Sequence, residues 1–192
     1  MKEIKIDGIG NVVLVQNNID VDLLADIART CKHGENVPQA TQEQNDKFIK
    51  GLYLARHLSI FEFGDVLFKV TVPIYVARQL MRYRTGKYCE KSLRATQPAR
   101  RLSEKSVIDV HYNACYDFYK ALINQGYKKE EARRVLPLDT TTVYYFKIDL
   151  RNLLHLIEER TAPGAQSETR KIVEGMKTLL LDANPRLQGL FD

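Results

Sequence analysis

The run Val66–Val72, VLFKVTV, ends at a proline, and this juncture constrains the fold more than any other feature. Its β-branched and aromatic residues read as a strand. Pro73 has no N–H to give a sheet, yet it suits the first turn of a helix, which the spacing of Ile74, Ala77 and Met81 carries to about Arg84. Upstream, IKI and VVLVQ around Gly8 and Gly10 read as a hairpin. Leu23, Leu24 and Ile27 recur at helical spacing from Asp20 to Cys31, with Gly34 beyond the end. Thr41 and Gln44 form a capping box ahead of a helix carrying Phe48, Leu52 and Tyr53.

The second half reads as mostly helical. Val107, Val110, Ala114 and Phe118 form one apolar face, and Gly126 is a stop. A short helix over KEEARRVL ends at Pro137. A longer one is expected from about Thr141 to Arg160, with Phe146, Leu150, Leu153, Leu154 and Ile157 as its stripe, broken by APG at 162–164. A last helix carries Ile172, Val173, Met176 and Leu180. Strands and helices do not alternate, so the fold class is α+β: a mainly antiparallel sheet flanked by helices, with residues 1–192 as one domain.

No apolar run approaches the roughly 20 residues that span a bilayer, and MKEIKIDGIG lacks the core of a signal peptide. Cys31, Cys89 and Cys115 fit neither a disulfide framework nor metal spacing, so no metal and a cytoplasmic location are expected. A net charge of +5 favours anionic partners.

That charge concentrates in RQLMRYRTGKYCEKSLRAT, residues 78–96, where six cations surround one carboxylate, Glu90. Gln79 and Arg82 share a helical face. Beyond Gly86, Glu90, Ser92 and Arg94 alternate, and an extended segment points all three the same way. Guanidinium forks and a hydroxyl suit phosphate, and a Gln amide can read a base edge. A solvated basic face is the plain alternative.

The stretch resembles the signature of the flavin-dependent thymidylate synthases: Arg-His-Arg, two residues, Ser, one residue, Asn-Glu, one residue, Ser, one residue, Arg. Arg82, Arg84, Glu90, Ser92 and Arg94 match it without a gap, whereas Tyr83, Lys87 and Cys89 replace its His, first Ser and Asn. The flanks are similar too: HLSIFEF (57–63), VPIYVARQLMRYR, ARRVLPLDTTT (132–142) and LRNLLHLIEERTAPGAQSETR (150–170).

The resemblance implies reductive C5 methylation of a pyrimidine nucleotide, dUMP to dTMP, using FAD, methylenetetrahydrofolate and NADPH, in a homotetramer with active sites shared between subunits. It implies substrate contacts from Gln79, Arg82, Glu90, Ser92, Arg94, Arg133 and Arg160. Arg160 is the residue expected to stabilise negative charge on the pyrimidine during catalysis. It implies cofactor contacts from His57, Ser59, Glu62, Arg84, Glu90, Arg151 and His155, with Tyr83, Lys87 and Cys89 as altered positions on the flavin side. Because the departures cluster there, a relative acting on UMP or dCMP, by methylation or hydroxymethylation, is the second reading. A non-catalytic nucleotide- or RNA-binding module is the third. Nucleic acid is the less expected partner, since aromatic residues are not interleaved regularly with the cations.

Overall fold

The structure is a computed structural model that describes residues 2–99 and 107–191. Five strands form one sheet in the order β1-β2-β3-β5-β4: β1 Lys2–Ile6, β2 Gly10–Asn17, β3 Asp65–Pro73, β4 Lys87–Glu90 and β5 Thr141–Asp149. Every pairing is antiparallel. Helices α1 (Val21–His33), α2 (Gln42–Leu54), α3 (Ile74–Leu80), α4 (Val107–Asn124), α5 (Lys129–Ala132), α6 (Leu150–Thr161) and α7 (Ser167–Ala183) flank it. The expected α+β class with an antiparallel sheet is therefore observed.

The sheet has one dry face. Val12 and Leu14 on β2, Val66, Phe68, Val70 and Val72 on β3, and Tyr144, Phe146 and Ile148 on β5 are buried at alternate positions, the period-2 pattern of a sheet covered on one side. Leu153, Leu156 and Ile157 of α6 and Ile172, Val173, Met176 and Leu180 of α7 complete the same core. Each such side chain removed from water contributes about 1.5–3 kcal/mol before conformational entropy is set against it.

Local signals explain several boundaries. Gly8 takes φ +69° in the β1–β2 turn, where Ile9 N–H donates to Ile6 O at 3.0 Å. The Thr41–Gln44 capping box forms as expected. Pro73 does pass from β3 into α3, but the helix closes at Leu80 rather than Arg84.

One further expectation is corrected. The helix expected from Thr141 to Arg160 is a strand followed by a helix. TTVYYFKID is β-branched and aromatic with alternate burial, and it lies between β3 and β4, where both of its edges are paired. Asp149 ends it and caps α6, accepting from Asn152 N at 2.9 Å. On α4, Val107, Val110, Ala114 and Phe118 are exposed, and the buried residues are Tyr112 and Tyr119. The helix meets α5 and the following 3-10 turn through its tyrosine side, where the rings of Tyr112, Tyr116 and Tyr119 stack in series at 6.2 Å spacings. Among the described residues, no helix is long and apolar enough to cross a membrane, and no cluster of three or more His, Cys, Asp or Glu is placed to hold a metal ion.

Candidate functional site

Capping geometry fixes where α6 begins, and so which of its side chains face outward. Arg151, His155 and Glu158, spaced i, i+4 and i+7, line one stripe of the helix. Opposite them stand the end of α2 and the 3-10 turn Ser59–Phe63, which presents Glu62. Between these elements lies a cleft of about 540 Å³, lined also by Tyr53, Arg56, Leu58, Thr85, Asn152 and Leu154. Arg151 pairs with Glu62 across it. The His155 imidazole stands 3.6 Å from Glu159 on the solvent side. Apolar walls with a few convergent charges are the usual composition of a small-molecule site.

Tyr83 lies beneath this cleft. Its ring is 8% exposed, with its centroid 5.7 Å from that of His155 at a 58° tilt. Its hydroxyl is buried and has no hydrogen-bond partner among the described residues. Burial, reinforced by the carboxylates of Glu159 and Asp149, pushes the phenol up to about 12. The Tyr83 ring thus packs against the imidazole of His155.

The basic stretch folds around the other end of this region. Gly86 turns the chain toward β4 and packs on Phe146 so closely that a Cβ there would sit 2.2 Å from the ring. Tyr88 then stacks on Phe146 at 4.8 Å, with its hydroxyl within hydrogen-bonding reach of the Leu80 and Tyr83 carbonyls. That pairing leaves Lys87 and Cys89 exposed on the opposite side of β4. Thr142 Oγ1 donates to Glu90 Oε1 at 2.7 Å.

The alternation expected through Glu90, Ser92 and Arg94 stops at Glu90. Lys91 N–H makes a last sheet bond to Val143 O, and the chain then turns, with Thr96 N–H donating to Ser92 O at 3.0 Å and Arg94 N–H to Ser92 Oγ at 3.2 Å. The local serine bonds thus take the place of extension, although β5 runs on to Thr141, which Ala99 bridges instead. The turn docks on α5: Arg94 Nε and Nη2 reach Glu130 Oε2 at 3.1 and 2.9 Å, and Lys129 Nζ donates to Ala95 O at 3.0 Å. Glu130 stands three residues before Arg133, which opens the 3-10 turn Arg133–Val135 directly after α5.

The structure therefore gathers Glu62, Arg151 and His155 into one cleft, with Tyr83 packed beneath. His57 and Ser59 are exposed at its edge of the fold, in the segment leading to Glu62. Gln79, Arg82 and Arg84 are exposed after and along α3, and Lys87, Cys89, Ser92, Arg94 and Arg133 on the β4–α5 side. None of these lines the cleft within one chain. Arg160, in the last turn of α6, is half-buried, and its Nε has no partner among the described residues. Arg56, Thr85, Asn152 and Glu158 also line the cleft, and none of them stood out in the sequence. Extending the α6 stripe by one turn from His155 finds Glu158; nothing in the local sequence marks Arg56.

Comparison with known proteins accords with this architecture. The family described as "Thymidylate synthase complementing protein" matches residues 13–186. The fold and this match define the class as a methyltransferase-like enzyme built on an antiparallel α+β sheet. The flavin-dependent thymidylate synthase of Thermus thermophilus is 31% identical over 95% of this chain and 76% of its own length. That of Wolbachia pipientis wMel is 31% identical over 80% of this chain and 63% of its own. The chain belongs to the flavin-dependent thymidylate synthase family, as a divergent member. The same fold occurs in the crystal structure of a UMP/dUMP methylase, PolB from Streptomyces cacaoi bound with 5-Br dUMP, at TM-score 0.87 and 24% identity, covering 98% of this chain and 97% of that one.

Proposed function

We propose that this enzyme methylates C5 of a pyrimidine nucleotide, dUMP to dTMP, with methylenetetrahydrofolate as carbon donor, FAD as cofactor and NADPH as reductant. The observation that carries the reading is the cleft between α6 and the Ser59–Phe63 turn, in a chain of this family. Its donor set fits a flavin nucleotide. Arg56 and Arg151 offer guanidinium groups for phosphate, His155 an imidazole for a ring edge, and Tyr53, Leu58 and Leu154 an apolar wall. Reduced flavin, when bound, supplies the electrons that turn the transferred methylene into a methyl.

The chain's own residues position the substrate and handle charge. Arg82, Ser92, Arg94 and Arg133 would hold the nucleotide's phosphate and Gln79 its base edge, with Glu90 held by Thr142 between them. Arg160 is proposed to stabilise negative charge on the pyrimidine as C5 turns nucleophilic, a task suited to a guanidinium whose Nε is buried and unpartnered among the described residues. His57, Ser59, Arg84, Lys87, Cys89 and Tyr83 complete the proposed flavin side. The nucleotide set and the cleft are separate within one chain, which supports a homotetramer with shared active sites. A cytoplasmic location is part of the same reading.

UMP is the second substrate candidate, favoured by the near-complete structural overlap with a protein described as a UMP/dUMP methylase. The purified protein is expected to be yellow, or to turn yellow with added FAD, and incubation with dUMP, UMP and dCMP separately is expected to yield the 5-methyl product of dUMP. A colourless protein indifferent to FAD overturns the flavin chemistry. Methylation of UMP alone moves the assignment to the second substrate.

A further inference from the structure

α2 ends in a Schellman motif: His57 N–H donates to Leu52 O at 2.9 Å and Arg56 N–H to Tyr53 O at 3.0 Å. That motif requires the residue after the C-cap, here Ala55, to be left-handed, and glycine is the usual occupant. Here the residue is Arg56, with φ +60°, and among the described residues no other non-glycine has a positive φ. A residue carrying a Cβ is uncommon in this region, and such positions cluster where a ligand is held.

The ordinary explanation for a cation at a helix end does not apply. The carbonyls of Gly51, Leu52 and Tyr53 already accept from Ala55, His57 and Arg56 N–H groups, so they do not need a side chain. Nor is the guanidinium used elsewhere: among the described residues it enters no hydrogen bond or ion pair. It lines the α6 cleft instead, facing the same space as Arg151, whose charge is already engaged by Glu62. The cleft's other carboxylate, Glu158, is not paired with it.

We infer that Arg56 is the anion anchor of this cleft and contacts a phosphate group of the nucleotide that occupies it. The left-handed backbone turns the chain so that the end of α2 delivers an exposed cation to the cleft mouth. The inference rests on the proposed nucleotide chemistry and deepens it, singling out Arg56, outside the signature stretch, over the Glu62-paired Arg151 as the phosphate contact. The phosphate belongs either to FAD or to the pyrimidine mononucleotide.

Two probe pairs distinguish these sources on the full chain: FAD against riboflavin by flavin fluorescence, and dUMP against deoxyuridine by calorimetry. Arg56→Gln is expected to weaken the phosphate-bearing member of one pair by about tenfold or more, the scale of a lost charge-assisted hydrogen bond, and to leave its phosphate-free partner unchanged. Arg56→Lys is expected to recover part of the loss. Arg56→Gly, which relieves the backbone, is expected to bind as poorly as Arg56→Gln without melting below the parent. Loss confined to FAD assigns its phosphates, and loss confined to dUMP assigns the substrate's. The inference is overturned if Arg56→Gln leaves FAD and dUMP within twofold of the parent, or if the phosphate-free probes weaken equally. In either case the proposed function stands. A parent chain that binds neither FAD nor dUMP overturns both.

Discussion

At the scale of the residue, Arg94 shows how a binding group is kept in place before its ligand arrives. Its guanidinium rests on Glu130, with the two side chains 66% and 41% exposed. An ion pair so open to water contributes about 0–1 kcal/mol, so a phosphate dianion can take Arg94 from Glu130 at small cost. Arg94→Ala is therefore expected to weaken nucleotide binding by about 1.5–3 kcal/mol, the range for hydrogen bonds to charged groups, while flavin affinity holds. Calorimetry with dUMP and a flavin titration on the same preparation check both halves, and equal loss of the two ligands would show that the site does not divide in this way. Glu130→Gln is expected to tighten dUMP binding by up to a few-fold at low salt, with the gain fading as salt rises. A dUMP affinity that falls instead would mean Glu130 orients Arg94 rather than competing for it.

At the scale of the element, the junction of β5 and α6 decides which α6 side chains face the cleft. Asp149 closes the strand and caps the helix through Asn152 N–H. Asp149→Ala is expected to lower stability by about 1 kcal/mol in urea unfolding, and Asp149→Asn to restore most of it. The same junction was the least legible in the sequence. Phe146, Leu150, Leu153, Leu154 and Ile157 do recur at helical spacing, and only the pairing of Thr141–Asp149 with two other strands shows that the first of them belongs to a sheet. Where the signal was local it was legible: the capping box at Thr41, the turn at Gly8 and the strand ending at Pro73 all formed. In the site, the Arg82–Arg94 signature was legible as a sequence match. The cleft was not, because Arg56 and Thr85 meet Glu158 only through tertiary packing.

A second element-scale contact ties the C-terminal 3-10 turn Pro185–Leu190 to α1 and α2. Arg186 bonds both oxygens of Asp22 at 2.7 Å and Asp46 at 2.8 Å. Those bonds, then one from Asn45, hold the Asp22 carboxyl down at about 2, against an ordinary value of 3.8. A depressed carboxylate contributes stability that is complete above its unfolded value and is lost as pH falls through its folded one, so the window is about pH 4 to 2. With Asp22 39% exposed, screening by water reduces the contribution to about 1 kcal/mol. Acid titration of unfolding is expected to show this loss in the parent, and Arg186→Ala to flatten it. An unchanged acid limb in Arg186→Ala would remove Asp22 as its source.

At the scale of the whole molecule, the exposed side of α4 bears on assembly. Val107, Val110 and Phe118 are 87%, 72% and 56% exposed, spaced along one stripe whose opposite side is already packed through Tyr112 and Tyr119. Apolar side chains exposed together along a helix mark a surface that another surface covers, whereas isolated ones need no explanation. The proposed homotetramer supplies a reason, since a single chain keeps Arg94 and Arg133 apart from the α6 cleft. If α4 lies between subunits, charge on its stripe separates them and opens the shared site. The double variant Val110→Glu, Phe118→Glu is thus expected to stay folded by circular dichroism, because both positions face water in one chain. It is expected to run at lower mass than the parent in light scattering, and to lose nucleotide binding and methylation together. Unchanged mass with full activity would remove α4 from the assembly. Reduced mass with full activity would mean that each chain carries a complete site, and that the path from the β4 edge to the cleft closes within one subunit.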